Sequence, residues 1–190
     1  MSFERVIKLP LDRIGVLIGK GGKVKAEIEK KCGVKIKVDS KTGEVLIKST
    51  GNLTESLPLK AVDIVAAIAR GFSPMRAFRL LDENTVLNII DLKNYAGKSK
   101  SNLQRIKGRI IGLNGKARRI IEELTEANIS VYGHMVAIIG DVDQVKTATD
   151  AVVMLATGSP HKVVYNMLQK IRTKAKMDRL KLWEGGESYV

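Results

Sequence analysis

The sequence predicts an α+β protein built from one unit written twice. Each unit is a three-stranded antiparallel sheet packed on three helices, and a helical extension follows at the C-terminus. Three observations carry this. Residues 15–23 read GVLIGKGGK and residues 108–116 read GRIIGLNGK, one Gly-x-x-Ile-Gly-x-x-Gly-Lys template placed 93 positions apart. The register extends past the template: Ile28 matches Ile121, Glu29 matches Glu122, Ile36 matches Ile129 and Val38 matches Val131 at the same offset. Chance glycines would not carry the hydrophobic pattern with them, so the chain holds an internal duplication. Both halves also read strand, helix, glycine loop, helix, strand, strand, helix. The 190 residues divide into two domains, 1–82 and 83–190. With 44% apolar but only 4% aromatic residues, their cores are aliphatic.

In the first half, VIKL at 6–9 alternates as a short strand, and Ile14–Ile18 is an apolar segment running into GKGG. Lys23 to Lys31 reads as a helix with Val24 and Ile28 on one face, closed by Gly33 as a left-handed cap. VKIKVDS at 34–40 and EVLIKS at 44–49 form two strands around the turn Lys41-Thr42-Gly43. Leu57 to Arg70 is a long apolar-faced helix, and Cys32, alone in the chain, fills a core position. In the second half TVLNIIDL at 85–92 is a strand, Asn102 to Ile111 a helix, and Lys116 to Ala127 a helix with Ala117, Ile120, Ile121 and Leu124 on one stripe. ISVY at 129–132 and VAIIG at 136–140 form a hairpin, and Asp141 to Ala156 is a helix ended by Gly158. RGFSPMRAFRLL follows the first half and TGSPHKVVYNML the second. In each, Ser is the expected N-cap and Pro the first helical residue. The second run extends through Lys176 with Val164, Leu168 and Ile171 on one stripe, and the tail after Trp183 is expected to fray. Residues 93–101, KNYAGKSKS, lengthen the second half between strand and helix.

The formal net charge of +13 attracts polyanions. No run of 18 apolar residues is present to span a bilayer, and MSFERVIKLP does not read as a secretory signal, so a reducing cytoplasm is the expected location. A lone cysteine and two unspaced histidines, His134 and His161, offer no disulfide framework, metal site or catalytic set. No cofactor is expected. Asp141 and Asp143 stand where a helix begins, so capping and dipole roles explain them.

The glycine template has a chemical reading. A helix ends at Ile, Gly-x-x-Gly turns the chain, and a second helix starts at Lys. Glycines keep side chains away, so a phosphodiester can lie on bare backbone near the amides of the next helix. A nucleotide P-loop fits worse: Gly15 to Gly19 leaves too few residues between, and Gly21 follows Lys20 where Ser or Thr is required. The candidate contact residues are Gly19, Lys20, Gly21, Gly22, Lys23 and Lys25 in the first half. In the second half they are Arg105, Lys107, Arg109, Gly112, Leu113, Asn114, Gly115, Lys116, Arg118 and Arg119. Eight basic residues from Lys98 to Arg119 are uninterrupted by an acid, whereas Glu27 and Glu29 follow closely on the first loop. The second unit is therefore expected to bind more tightly and with the steeper salt dependence.

This loop resembles the one by which KH domains clamp about four nucleotides of a single strand. The element order is that of the eukaryotic-type arrangement, so nearly the whole chain resembles two KH (type I) domains in tandem. The resemblance implies an apolar groove floor, Leu17, Ile28 and Ile36 in one unit and Ile110, Ile121 and Ile129 in the other, with bases read by the edge of the second strand. It also notes a departure: Lys25 and Arg118 stand where KH helices usually carry an aliphatic residue. RIKGRIIGLNGKARRIIEELTEANISVYGHMVAIIG, TGSPHKVVY and RGFSPMRAFRLL are similar to the archaeal form of the partner-of-Nob (Dim-two) family of small-subunit ribosome assembly factors. That similarity implies RNA binding at the 3′ end region of pre-16S ribosomal RNA without catalysis. It further implies cooperation with the Nob endonuclease and association with the alpha subunit of archaeal initiation factor two. A general KH adaptor or RNA chaperone, and a protein-interaction scaffold docking through Val163 to Ile171, stay open on the residues alone.

Overall fold

The computed structural model describes residues 3–49 and 57–184. In the first unit, β1 (Glu4–Lys8), α1 (Leu11–Ile18), α2 (Lys23–Cys32), β2 (Val34–Val38), β3 (Glu44–Ser49) and α3 (Pro58–Ala69) follow one another. β3 is central, with β1 and β2 antiparallel on its two sides. Strand alternation sets the faces: Val34, Ile36, Val45 and Ile47 are buried beneath the helices, while Lys35, Lys37 and Lys48 point outward. Gly33 ends α2 in the left-handed conformation, as expected. Cys32 is buried in the same core, and burial pushes its thiol up to about 11.

A linker comprising α4 (Pro74–Ala77) and a 3₁₀ turn at Phe78–Leu81 leads to the second unit. Ser73 caps α4 by accepting from the Arg76 amide, and Pro74 occupies the first turn. The second unit repeats the first: β4 (Thr85–Asp91), α5 (Lys93–Ala96), α6 (Lys100–Ile111), α7 (Lys116–Thr125), β5 (Asn128–Tyr132), β6 (Met135–Asp141) and α8 (Val142–Thr157), with sheet order β4-β6-β5. The 93–101 insert forms the one-turn α5, and Ser99 then caps α6. Asp141 caps α8 in a reciprocal box with Gln144, the role expected of it.

α9 (His161–Glu184) closes the described chain. Its helix begins one residue later than the Ser-Pro pattern predicts. The Pro160 carbonyl accepts from Val163 and Val164, while the Ser159 amide is tied back to Met154. Val164 and Leu168 are buried against the second unit, but the stripe stops there and Ile171 is exposed. The tail expected to fray lies, from residue 185 on, outside the described residues. No helix among the described residues is long and apolar enough to cross a membrane.

The units pack as one body. Ala137 and Ile139 of β6 are wholly buried in the first unit's core, together with α3 and the linker residues Ala77 and Leu80. Val136 and Ile138 of the same strand face the second unit's own helices. β6 is therefore covered on both faces, which is why VAIIG is continuously apolar while the matching β3 alternates. The contact runs from the helix side of one unit to the sheet of the other, so the outer face of the first sheet keeps its lysines in solvent. Gly71 presses onto β5, where a Cβ would lie 2.7 Å from Ser130 Oγ. Ser130 Oγ donates to the Arg70 carbonyl, and Tyr132 donates to Asp12 across the seam, which pushes the phenol up.

Candidate nucleic-acid interface

The two glycine loops have the same backbone. Gly19 and Gly112 end α1 and α6 at φ/ψ of 71/173 and 72/175, a region open to glycine alone. Crowding adds a second reason: a Cβ on Gly19 would meet Val24 Cγ2 at 2.4 Å, and one on Gly112 would meet the Ala117 amide nitrogen at 2.7 Å. The next positive φ falls on Gly21 in one loop and Asn114 in the other, asparagine being among the few side chains that tolerate it. Gly22 and Gly115 then turn the chain into α2 and α7, their amides bonded to the Gly19 and Gly112 carbonyls at 3.1 and 3.2 Å. No backbone acceptor among the described residues meets the amides of Lys20 and Gly21, or of Leu113 and Asn114. A Cβ on Gly21 or Gly22 would touch nothing within 4 Å. Each loop is thus a projecting ledge of free N–H groups at a helix N-terminus, the arrangement that receives a phosphate.

Cations ring both ledges. Lys20 and Lys23 are exposed beside the first, and Lys116 and Arg119 beside the second. Arg119 donates to the Asn114 carbonyl at 3.0 Å and so also braces the loop. Leu113 projects from the tip at 83% exposure. Arg105, one turn inside α6, is exposed and bonded to Asn102, and Lys107 is half-buried. Lys25 and Arg118 lie on the first turn of α2 and α7, each within 4.0 Å of the glutamate four residues on.

Arg109 departs from expectation. Its guanidinium donates to the carbonyls of Leu155 and Ser159, at 3.1 and 2.5 Å, and holds α6 to the end of α8. Arg13 does the same in the first unit, donating to Ile68 and Phe72 at 2.8 and 2.6 Å. These arginines are structural brackets, with their donors turned toward the helix ends. His161 completes the second bracket by pairing with the Arg109 carbonyl at 2.8 Å.

The groove-floor expectation also changes. Leu17, Ile28, Ile36, Ile110, Ile121 and Ile129 are all at most 1% exposed, because their side chains point into the layer between helices and sheet. What faces outward at that level is a carboxylate. Glu29 accepts the Ile36 amide at 2.7 Å, and Glu122 accepts the Ile129 amide at 2.8 Å. The outward amide of the second strand is therefore occupied in both units. The Glu29–Glu122 match in the repeat register was the sequence signal for this pair.

Comparisons with known proteins agree with this geometry. Residues 4–57 match the KH domain family. Residues 86–173 match the second KH domain of PNO1, a eukaryotic-type (type I) KH domain. The KH domain-containing protein MJ0443 of Methanocaldococcus jannaschii is 47% identical over 94% of this chain and 78% of its own. The pre-rRNA-processing protein PNO1 of Debaryomyces hansenii is 26% identical over 91% of this chain and 69% of its own. A chain in the crystal structure of an a/eIF2alpha–aDim2p–rRNA complex from Pyrococcus horikoshii superposes with a TM-score of 0.84 at 49% identity, covering 91% of this chain and 96% of that one. With both loops, both sheets and both family matches in place, the chain belongs to the PNO1/Dim2 family of tandem KH proteins.

Proposed function

We propose that this protein binds single-stranded RNA through its two glycine loops and acts in ribosome biogenesis at the 3′ end region of pre-16S rRNA. It does so by binding alone, without catalysis, and in the cytoplasm. The observation that carries the reading is the pair of matching ledges, each offering free amides beside exposed lysines. A phosphodiester seated there meets amide donors, the positive end of a helix and a mobile ammonium together. The candidate residues divide by position: loop glycines admit the strand, Lys20, Lys23, Lys116 and Arg119 neutralise it, and Arg105 and Lys107 extend the field along α6. The modules span 1–82 and 83–190, and holding both on one chain raises affinity through effective concentration.

The rRNA target is supported by the names of relatives, a pre-rRNA-processing protein and a Dim2p in complex with rRNA and a/eIF2alpha. By the same support, the alpha subunit of initiation factor two is an expected protein partner, and the family resemblance adds the Nob endonuclease. The test changes Leu113 and Asn114 together to Asp, which places two carboxylates on the ledge without disturbing a glycine. Both side chains are exposed, and Asp tolerates the left-handed position. Filter binding to a single-stranded fragment of the 16S rRNA 3′ end should fall at least tenfold (an order-of-magnitude expectation for two repelled phosphate contacts) while the melting temperature holds. Unaltered binding would refute the reading and leave the scaffold alternative.

A further inference from the structure

At the seam between the units, the second trough has a wall that the first lacks. A pocket of about 250 Å³ opens there between the linker, at Gly71, Ser73 and Arg76, and the second unit, at Arg118 and Ser130 beside the edge of β5. Two guanidiniums converge on one carboxylate. Arg76 Nη1 lies 3.2 Å from Glu122 Oε1, and Arg118 Nε lies 3.9 Å from Glu122 Oε2. Glu122 Oε1 is already shared with the Ile129 amide, so two positive charges face one negative charge. Arg118 Nε is buried with no hydrogen-bond partner, a donor left over.

The duplication supplies an internal control. Lys25, Glu29 and Ile36 occupy the matching positions of the first unit, with one cation against one carboxylate at 4.0 Å. The excess positive charge is created by the linker and is fixed in place by Gly71 on β5 and by the Ser73 cap. Arg118 stands three residues into α7 from Gly115, about 4.5 Å along the axis at 1.5 Å per residue, so its backbone lies within one helical turn of the ledge.

We propose that Arg76 and Arg118 together bind a phosphate of the RNA strand held by the Gly112–Gly115 loop, so that the second unit's grip is built from both units. This rests on the RNA-binding reading above. A phosphate entering between the guanidiniums pairs with both side chains and takes Arg76 from Glu122, which keeps its bond to the Ile129 amide.

The test uses the full chain and a fluorescein-labelled single-stranded 16S 3′-end fragment, with binding followed by anisotropy over a salt series. Arg76→Ala should weaken binding about tenfold, the value of one charge-assisted contact, and lower the log–log salt slope by about 0.7. Arg76→Lys should restore the slope. Glu122→Gln keeps an acceptor for the Ile129 amide but removes the competing charge, and should tighten binding. A merely structural role predicts weakening or no change there. Arg79 bonds Asn128 from the same linker, away from the pocket, and Arg79→Ala should leave binding intact. Unchanged affinity and slope in Arg76→Ala, or equal losses in Arg79→Ala, would overturn the proposal. The two readings separate cleanly. Loss with the Leu113/Asn114 variant but not with Arg76→Ala defeats only the pocket. Loss with Arg76→Ala but not with the Leu113/Asn114 variant overturns both, because the strand meeting Arg76 would then not be the one held by the loop.

Discussion

Gly112 and Asn114 are two residues apart and equally left-handed in φ, yet they respond to different constraints. Gly112 combines φ 72 with ψ 175, and its absent Cβ leaves room for the Ala117 backbone. Asn114 needs only the ordinary left-handed well, at φ 50 and ψ 30, with its side chain in solvent. Denaturant titration should therefore find Gly112→Ala destabilised by about 1–3 kcal/mol. Asn114→Gly should stay within about 0.5 kcal/mol of the parent, and Asn114→Val should lose about 1–2. Arg109 carries a second residue-scale consequence. Replacing it with Leu removes two charged hydrogen bonds to carbonyls at the end of α8, and about 2–3 kcal/mol of stability should go with them. Arg105→Ala, by contrast, should weaken RNA binding and leave the melting temperature in place. If Arg105→Ala proved the destabilising change and Arg109→Leu the neutral one, the division between brackets and contacts would be wrong.

Among the elements, β3 and β6 show how one repeated strand was put to two uses. Leu46 and Ile139 are the same repeat position, 93 residues apart. Leu46 lies on the outer face of the first sheet beside Lys37, its partner across the pair with β2. Ile139 is wholly buried in the other unit's core. Ile139→Ala should cost about 2–4 kcal/mol, and Leu46→Ala under about 1. Because Ile139 belongs to the first core while sitting on a second-unit strand, thermal unfolding should remain a single transition in both variants. Two resolved transitions in calorimetry would show that the seam does not couple the units. The first sheet ends the stack because Lys35, Lys37 and Lys48 keep its outer face solvated, as the terminal unit of a repeat array requires.

For the whole molecule, the charge is unevenly shared. The second loop has Arg119, Arg118 and, across the seam, Arg76, while the first has Glu27 where the second unit has Ile120, and no inter-unit wall. Changing Leu113 and Asn114 to Asp should reduce affinity and salt slope more than changing Lys20 and Gly21 to Asp, with each lost phosphate contact worth about 0.7 in slope. Equal losses in the paired titrations would show that the two ledges share the strand evenly. The shared core at the seam sets the spacing between ledges, so a strand engaging both would have to span that separation.

Duplication, strand alternation and helix periodicity are local, which is why the two units, their element order and the exposed glycine ledges could be read from residues 15–23 and 108–116 and the register around them. The continuous apolar run of β6 fits a strand covered on both faces, but on the sequence it read only as half of a hairpin, since nothing local says what covers the second face. Tertiary structure alone decided the rest. Arg13 and Arg109 became brackets because folding brought helix-end carbonyls to them from some 50 residues away. The supposed groove floor turned inward because the helices and sheet close over it. Arg76 reached the second trough because packing a linker on a neighbouring sheet joins residues 46 positions apart. Spacing along a chain records what each segment can form, whereas the partner of a guanidinium or a carboxylate depends on which surfaces come to share one volume.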